Sequence, residues 1–88
     1  MHKNEKIIKA KIISKNTFIN SKERSLHSIY VFQTNLLTFQ LENNQRIVLE
    51  VPPTIFSCYL EGDAGLLTYE VKGQSNSFVS FKLNYLNS

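Results

Sequence analysis

Between Thr34 and Val51, apolar side chains recur at every second position on both sides of a short polar break. Leu37, Phe39 and Leu41 precede Asn43-Asn44-Gln45, and Ile47, Leu49 and Val51 follow it. Period-two alternation describes strands with one face in a core and the other in water. If Asn43-Asn44-Gln45 forms a three-residue hairpin loop, Leu41 lies opposite Ile47, Phe39 opposite Leu49 and Leu37 opposite Val51. Residues opposite one another share a face, so the apolar pairs fall on one side. A two-residue loop would set Leu41 against Arg46 and mix the faces. The odd loop is therefore expected, with asparagine supplying the positive φ it requires.

The same reasoning extends along the chain. In residues 6–14, Ile8, Ala10 and Ile12 alternate inward while lysines face mostly outward. A helix is disfavoured there, because β-branched isoleucines lose rotamer freedom in helices. Polar residues 16–28 read as a long loop. Tyr30 and Phe32 have the opposite parity to Leu37, so a bend or bulge near Thr34-Asn35 is expected to bring both sets to one core. Pro52-Pro53 stops a strand, and Ile55, Phe56, Tyr59 and Leu60 follow at helical spacing. Two last strands fit residues 65–72 and 77–86, the latter turning Val79, Phe81, Leu83 and Tyr85 inward. Phe18 and Tyr69 are the aromatics left for the exterior. The expected fold is all-β in the main. It is a small five-stranded antiparallel barrel or strongly curved sheet with one short helical turn near residues 54–60. Eighty-eight residues form a single domain, with residues 1–5 and 86–88 frayed.

Composition excludes several classes of function. One cysteine leaves no partner for an internal disulfide, and with two histidines it does not complete a zinc site. The longest apolar run, residues 29–32, is far short of the roughly 18–20 residues that span a bilayer. No apolar stretch follows the first lysines as in a secretory leader, so a cytoplasmic location is expected. Three glycines do not build a phosphate-cradling loop, and no cofactor is expected. Cys58 and His27 lack an orienting third group, and Cys58 in an apolar turn reads as a small buried hydrophobe. No enzyme is expected.

Several stretches resemble the small bacterial family numbered 2500 among the domains of unknown function. Ala10-Lys11-Ile12-Ile13-Ser14-Lys15 is similar to that family's opening strand. Leu37-Thr38-Phe39-Gln40-Leu41-Glu42, running through the turn to Arg46, follows it. Residues 60–69 contain Glu61-Gly62-Asp63-Ala64-Gly65, which resembles its Glu-Gly-Asp-x-Gly signature, and Phe78 and Phe81 resemble its closing pair of phenylalanines. Asn44 stands where members usually carry Gly, Ser77 replaces an Arg, and the membrane anchor frequent in members has no counterpart here. The resemblance implies a small β-barrel-like fold and brings no activity.

Charge is unevenly placed. Residues 1–24 hold 7 Lys and Arg against 2 Glu, a net of 7 − 2 = +5, while residues 25–88 hold 3 against 5, or 3 − 5 = −2. Lys9, Lys11, Lys15, Lys22 and Arg24 are the candidate binding surface, a strip suited to phosphate or anionic lipid. Glu61, Gly62, Asp63 and Gly65 are expected to be a structural turn, with Gly62 at positive φ and Asp63 bonded to the turn backbone. A non-enzymatic binding module follows, presenting the loop of residues 16–28 and the lysine face to a protein partner or to itself. The alternative is weak single-stranded nucleic-acid binding through the basic strip. Weak contact with anionic lipid ranks third.

Overall fold

The computed structural model describes residues 4–25 and 28–83, and for residues 22–25 and 28–30 it defines the backbone. Five strands and one helix follow in order: β1 (Glu5–Ser25), β2 (Ser28–Leu41), β3 (Arg46–Val51), α1 (Pro53–Cys58), β4 (Ala64–Lys72) and β5 (Ser75–Leu83). They form one antiparallel sheet in the order β3-β2-β1-β4-β5. The sheet curves until β3 and β5 approach across its inner face, but the two do not pair. The structure is thus the strongly curved sheet, the second of the two forms expected, with its edges open.

The inner face carries the core. Ile12, Leu37, Phe39 and Leu67 are fully shielded from solvent, with Leu49, Phe81 and Ala10 close behind. The Phe39 and Phe81 rings lie 5.2 Å apart at a tilt, within the favourable range for aromatic pairs. Helix α1 closes this face and sets Ile55 and Phe56, with Tyr59 just beyond its end, against the core. Pro53 occupies its first position, where a missing N–H costs nothing. Cys58, expected to be buried, is exposed, and Leu60 points to solvent.

The hairpin keeps its faces but moves its loop. Phe39 pairs with Ile47, Leu37 with Leu49 and Asn35 with Val51. The loop is Glu42-Asn43-Asn44, closed by the Leu41 amide donating to the Gln45 carbonyl at 2.7 Å. Asn44 takes the left-handed conformation at φ 68, and the Asn43 side chain accepts from the Gln45 amide. Moving the loop by one residue shifts the pairing by two, so parity and faces survive.

Other expectations need correction. Residues 16–25 are not a loop: β1 continues to Ser25, paired with β2 throughout. No bulge marks Thr34-Asn35, and Phe32, expected in the core, is 47% exposed. The irregularity lies in β1 between Ile12 and Ser14. β3 ends opposite Asn35, so no core remains for Phe32 to enter. In β5, Thr68 pairs with Ser80 but Tyr69 with Phe78. Val79 bulges out, and Phe78 takes the core position it was expected to fill.

Tyr69, expected outside, is buried. At the start of the chain, Glu5 already belongs to β1 and the Asn4 carbonyl accepts from the Val71 amide. The side chain of Tyr30, and the whole of His27, Tyr85, residues 1–3 and residues 86–88, lie outside the described atoms.

Candidate interaction surface

A single extra residue in β1 divides the expected basic strip. Before Ile13 the even residues Ile8, Ala10 and Ile12 face inward; after it, Lys15 pairs with Leu37 and takes the inner side. Its Nζ donates to the Tyr59 carbonyl at 2.6 Å and sits 4.4 Å from the centre of the Phe56 ring. Both contacts hold the end of α1, so Lys15 is a structural residue and leaves the candidate surface. Tyr59 in turn donates its hydroxyl to the Phe81 carbonyl and meets the Phe81 ring edge-on.

The Glu-Gly-Asp-x-Gly stretch secures the other flank of β1. Gly62, at φ 98, donates its amide to the Ile12 carbonyl, and the Ile12 amide donates to the Asp63 carbonyl. The Asp63 carboxylate accepts from the Leu60 amide at 2.9 Å, and the Glu61 carboxylate accepts from the Lys15 amide at 3.1 Å. A β-carbon on Gly65 would lie 1.9 Å from the Lys82 carbonyl oxygen, so only glycine lets β4 and β5 approach there. Each acidic side chain is thus spent on a backbone amide. Among the described residues no group of three His, Cys, Asp or Glu gathers to hold a metal ion, and no helix is long and apolar enough to cross a membrane.

Lys9 and Lys11 remain outward and acquire company that strand order supplies. Arg46 pairs with Gln40, and Gln40 with Lys11. On the other side Lys9 pairs with Leu66, and Leu66 with Lys82. Four cations from β1, β3 and β5 therefore share the outer face, with exposed Ile7, Val48 and Leu66 among them. β2 separates β1 from β3 and β4 separates β1 from β5, so the cations are spread about two strand spacings apart across the face and are not directly opposed. Arg46 and Lys82 were missed because their distance in sequence hides a proximity that only strand order creates.

The second feature is an arm. Pairing of β1 with β4 ends at Lys11, and β3 stops opposite Asn35. Beyond these points β1 and β2 continue, with no third strand among the described residues, as a two-stranded ribbon. They lengthen the molecule to 57 × 35 × 20 Å. At its base, buried Asn35 accepts hydrogen bonds from Thr17 and Gln33. Phe18, paired with Thr34, and Phe32, paired with Asn20, continue the outer face. Ile19 and Val31 lie on the opposite face, and the four side chains are 52%, 47%, 71% and 66% exposed in that order of mention. Lys22 pairs with Tyr30 in the ribbon backbone, and Arg24 sits at a second register shift; the description of both stops at the backbone.

No family model matches the chain, and no curated protein is similar to it in sequence. Among solved structures, a Proteus penneri ATCC 35198 protein from a structural genomics programme superimposes with a TM-score of 0.74 at 20% identity. The match covers 91% of this chain and 95% of that one. At that identity the likeness concerns the fold alone.

Proposed function

We propose that this chain is a non-enzymatic binding module that engages a protein partner through the β1–β2 arm. The observation that carries this reading is the arm's exposure of Phe18, Ile19, Val31 and Phe32 on both faces of the two-stranded ribbon. An isolated two-stranded hairpin is marginal in water, and contiguous apolar exposure marks interaction surfaces. The acidic side chains of the signature turn are engaged with backbone amides, which favours a structural over a catalytic use of them. The resemblance to the bacterial family of unknown function is compatible with this role and adds no activity to it.

The test is a pull-down from nuclease-treated lysate of the source cell with the folded domain and its Phe18→Ser/Phe32→Ser variant. A protein retained by the parent and by a Lys9→Glu/Lys11→Glu variant, but released by the arm variant, supports the reading. Equal retention by all three overturns it.

Single-strand nucleic-acid binding is the second reading, favoured by the placement of Lys9, Lys11, Arg46 and Lys82 on the same outer face as Phe18 and Phe32. Cations track phosphates and aromatic rings stack bases. Fluorescence anisotropy with a labelled single-stranded oligonucleotide at about 50 mM salt decides it, because counterion release makes affinity greatest at low salt. Absence of binding there removes the second reading.

A further inference from the structure

Apart from the arm, we infer that the cleft where β3 and β5 face one another without pairing binds a neutral saccharide through the Asn35 amide. The cleft has a volume of about 460 Å³ and lies at the end of the inner face, beyond the core, within the size range of small-molecule sites. Val51, Pro52 and Phe78 give it apolar walls, and Gln33, Asn35 and Asn76 supply amides. Asn35 is the one buried polar side chain among the described residues, only 2% exposed. Its Oδ1 accepts from the Thr17 hydroxyl at 3.1 Å and from Gln33 Nε2 at 3.0 Å, which orients the amide. No described residue accepts from its Nδ2. Since no enclosed side-chain polar atom lacks a partner, Nδ2 is the atom through which Asn35 reaches the cleft it lines. A donor held in a recess without an acceptor is costly, so the recess is preformed for an oxygen.

Charge selects the kind of oxygen. Among the described residues no lysine or arginine lines the cleft, and Glu50 is its charged residue. The cations Lys9, Lys11, Arg46 and Lys82 lie on the opposite face of the sheet. A phosphate or carboxylate would enter without a counter-charge and near an acid, which desolvation penalises. A neutral oxygen carries no such cost.

The rim narrows the class further. Asn76 pairs with Val71, which packs against the core, so the two share the inner face. Gln33 and Asn76 are exposed there, and each amide both donates and accepts. That dual capacity matches hydroxyl groups, which also do both, and adjacent hydroxyls on one ring meet several amides at once. The apolar C–H faces of the same ring suit the walls of Val51, Pro52 and Phe78. A peptide is recognised instead through main-chain bonds along a strand edge.

The test is a titration of the isotope-labelled full chain, followed by amide correlation NMR spectra, with glucose and N-acetylglucosamine as neutral probes. Glucuronate, the same ring with a carboxylate, and a blocked alanine dipeptide are the controls. Saturable displacement of the Asn35 side-chain amide signals is expected with at least one sugar at roughly millimolar concentration, and with neither control. Asn35→Asp keeps the acceptor for Thr17 and Gln33 and removes the donor, and is expected to weaken sugar binding about tenfold, as loss of one hydrogen bond does. Asn76→Ala, on the exposed rim where substitution leaves folding intact, is expected to weaken it about threefold. Absence of displacement by either sugar, displacement confined to residues away from the cleft, or undiminished binding by both variants overturns the inference. Glucuronate binding as tightly as glucose, or the dipeptide binding in place of the sugars, overturns the neutral saccharide as occupant. None of these outcomes bears on the arm, because Phe18 and Phe32 lie outside the cleft.

Discussion

Ile12 and Ile19 are the same side chain in the same strand, yet Ile12 is wholly buried and Ile19 is 71% exposed. Around Ile12, β1 has neighbours on both sides and a sheet curved over it; around Ile19, among the described residues, it pairs with β2 alone. Fully burying an isoleucine contributes about 1.5–3 kcal/mol, so the two halves of β1 differ sharply in what they add to stability. The body folds because five strands enclose one apolar face. The arm is the continuation of β1 and β2, and at its base Asn35 accepts hydrogen bonds from Thr17 and Gln33 of the same two strands. An element that contributes little to its own fold is free to carry residues selected for something else.

This contrast can be broken by substitution. The largest effect is expected from Phe39→Ala, which empties the centre of the core and is expected to cost about 3–5 kcal/mol, a large share of a small domain's stability. Phe18→Ser in the arm is the matched control and is expected to stay within about 0.5 kcal/mol. Urea titrations of the two variants decide the point, and equal losses would show that the arm is part of the cooperative core. Next comes Gly65→Ala, whose new methyl would press on the Lys82 carbonyl. A loss of about 1–3 kcal/mol is expected as β4 and β5 are forced apart, read as a lowered denaturant midpoint.

The smallest effect sharpens the comparison within the lysines. Lys15→Ala removes a hydrogen bond and a cation–π contact on a half-buried side chain, with an expected loss of about 1 kcal/mol. Lys11→Ala, on the outer face, is expected to change stability by less than about 0.5 kcal/mol. If thermal or urea unfolding shows the two alike, Lys15 belongs with the surface after all.

How legible the site was depends on the residue. Leu37, Phe39 and Leu49 announced their face through alternation, which is local and needs no partner. Gly62 and Asp63 announced a turn through backbone chemistry that is equally local. Lys15 did not reveal its role, because one bulged residue reverses which face every later side chain takes. Residues 16–25 were mistaken for a loop because their polar and exposed apolar residues mix. That mixture reflects a strand with no core on either face.

Alternation and turn chemistry by themselves determined that this chain makes antiparallel strands, an odd hairpin loop and a helical turn after Pro52-Pro53. Such preferences act over a few residues and are written in neighbouring side chains. Tertiary structure alone decided that the sheet stays open, that Arg46 and Lys82 join Lys9 and Lys11, and that β1 outruns its neighbours. Those outcomes depend on strand order and on single-residue register shifts. Both are settled by packing between segments far apart in the chain, which local patterns do not record.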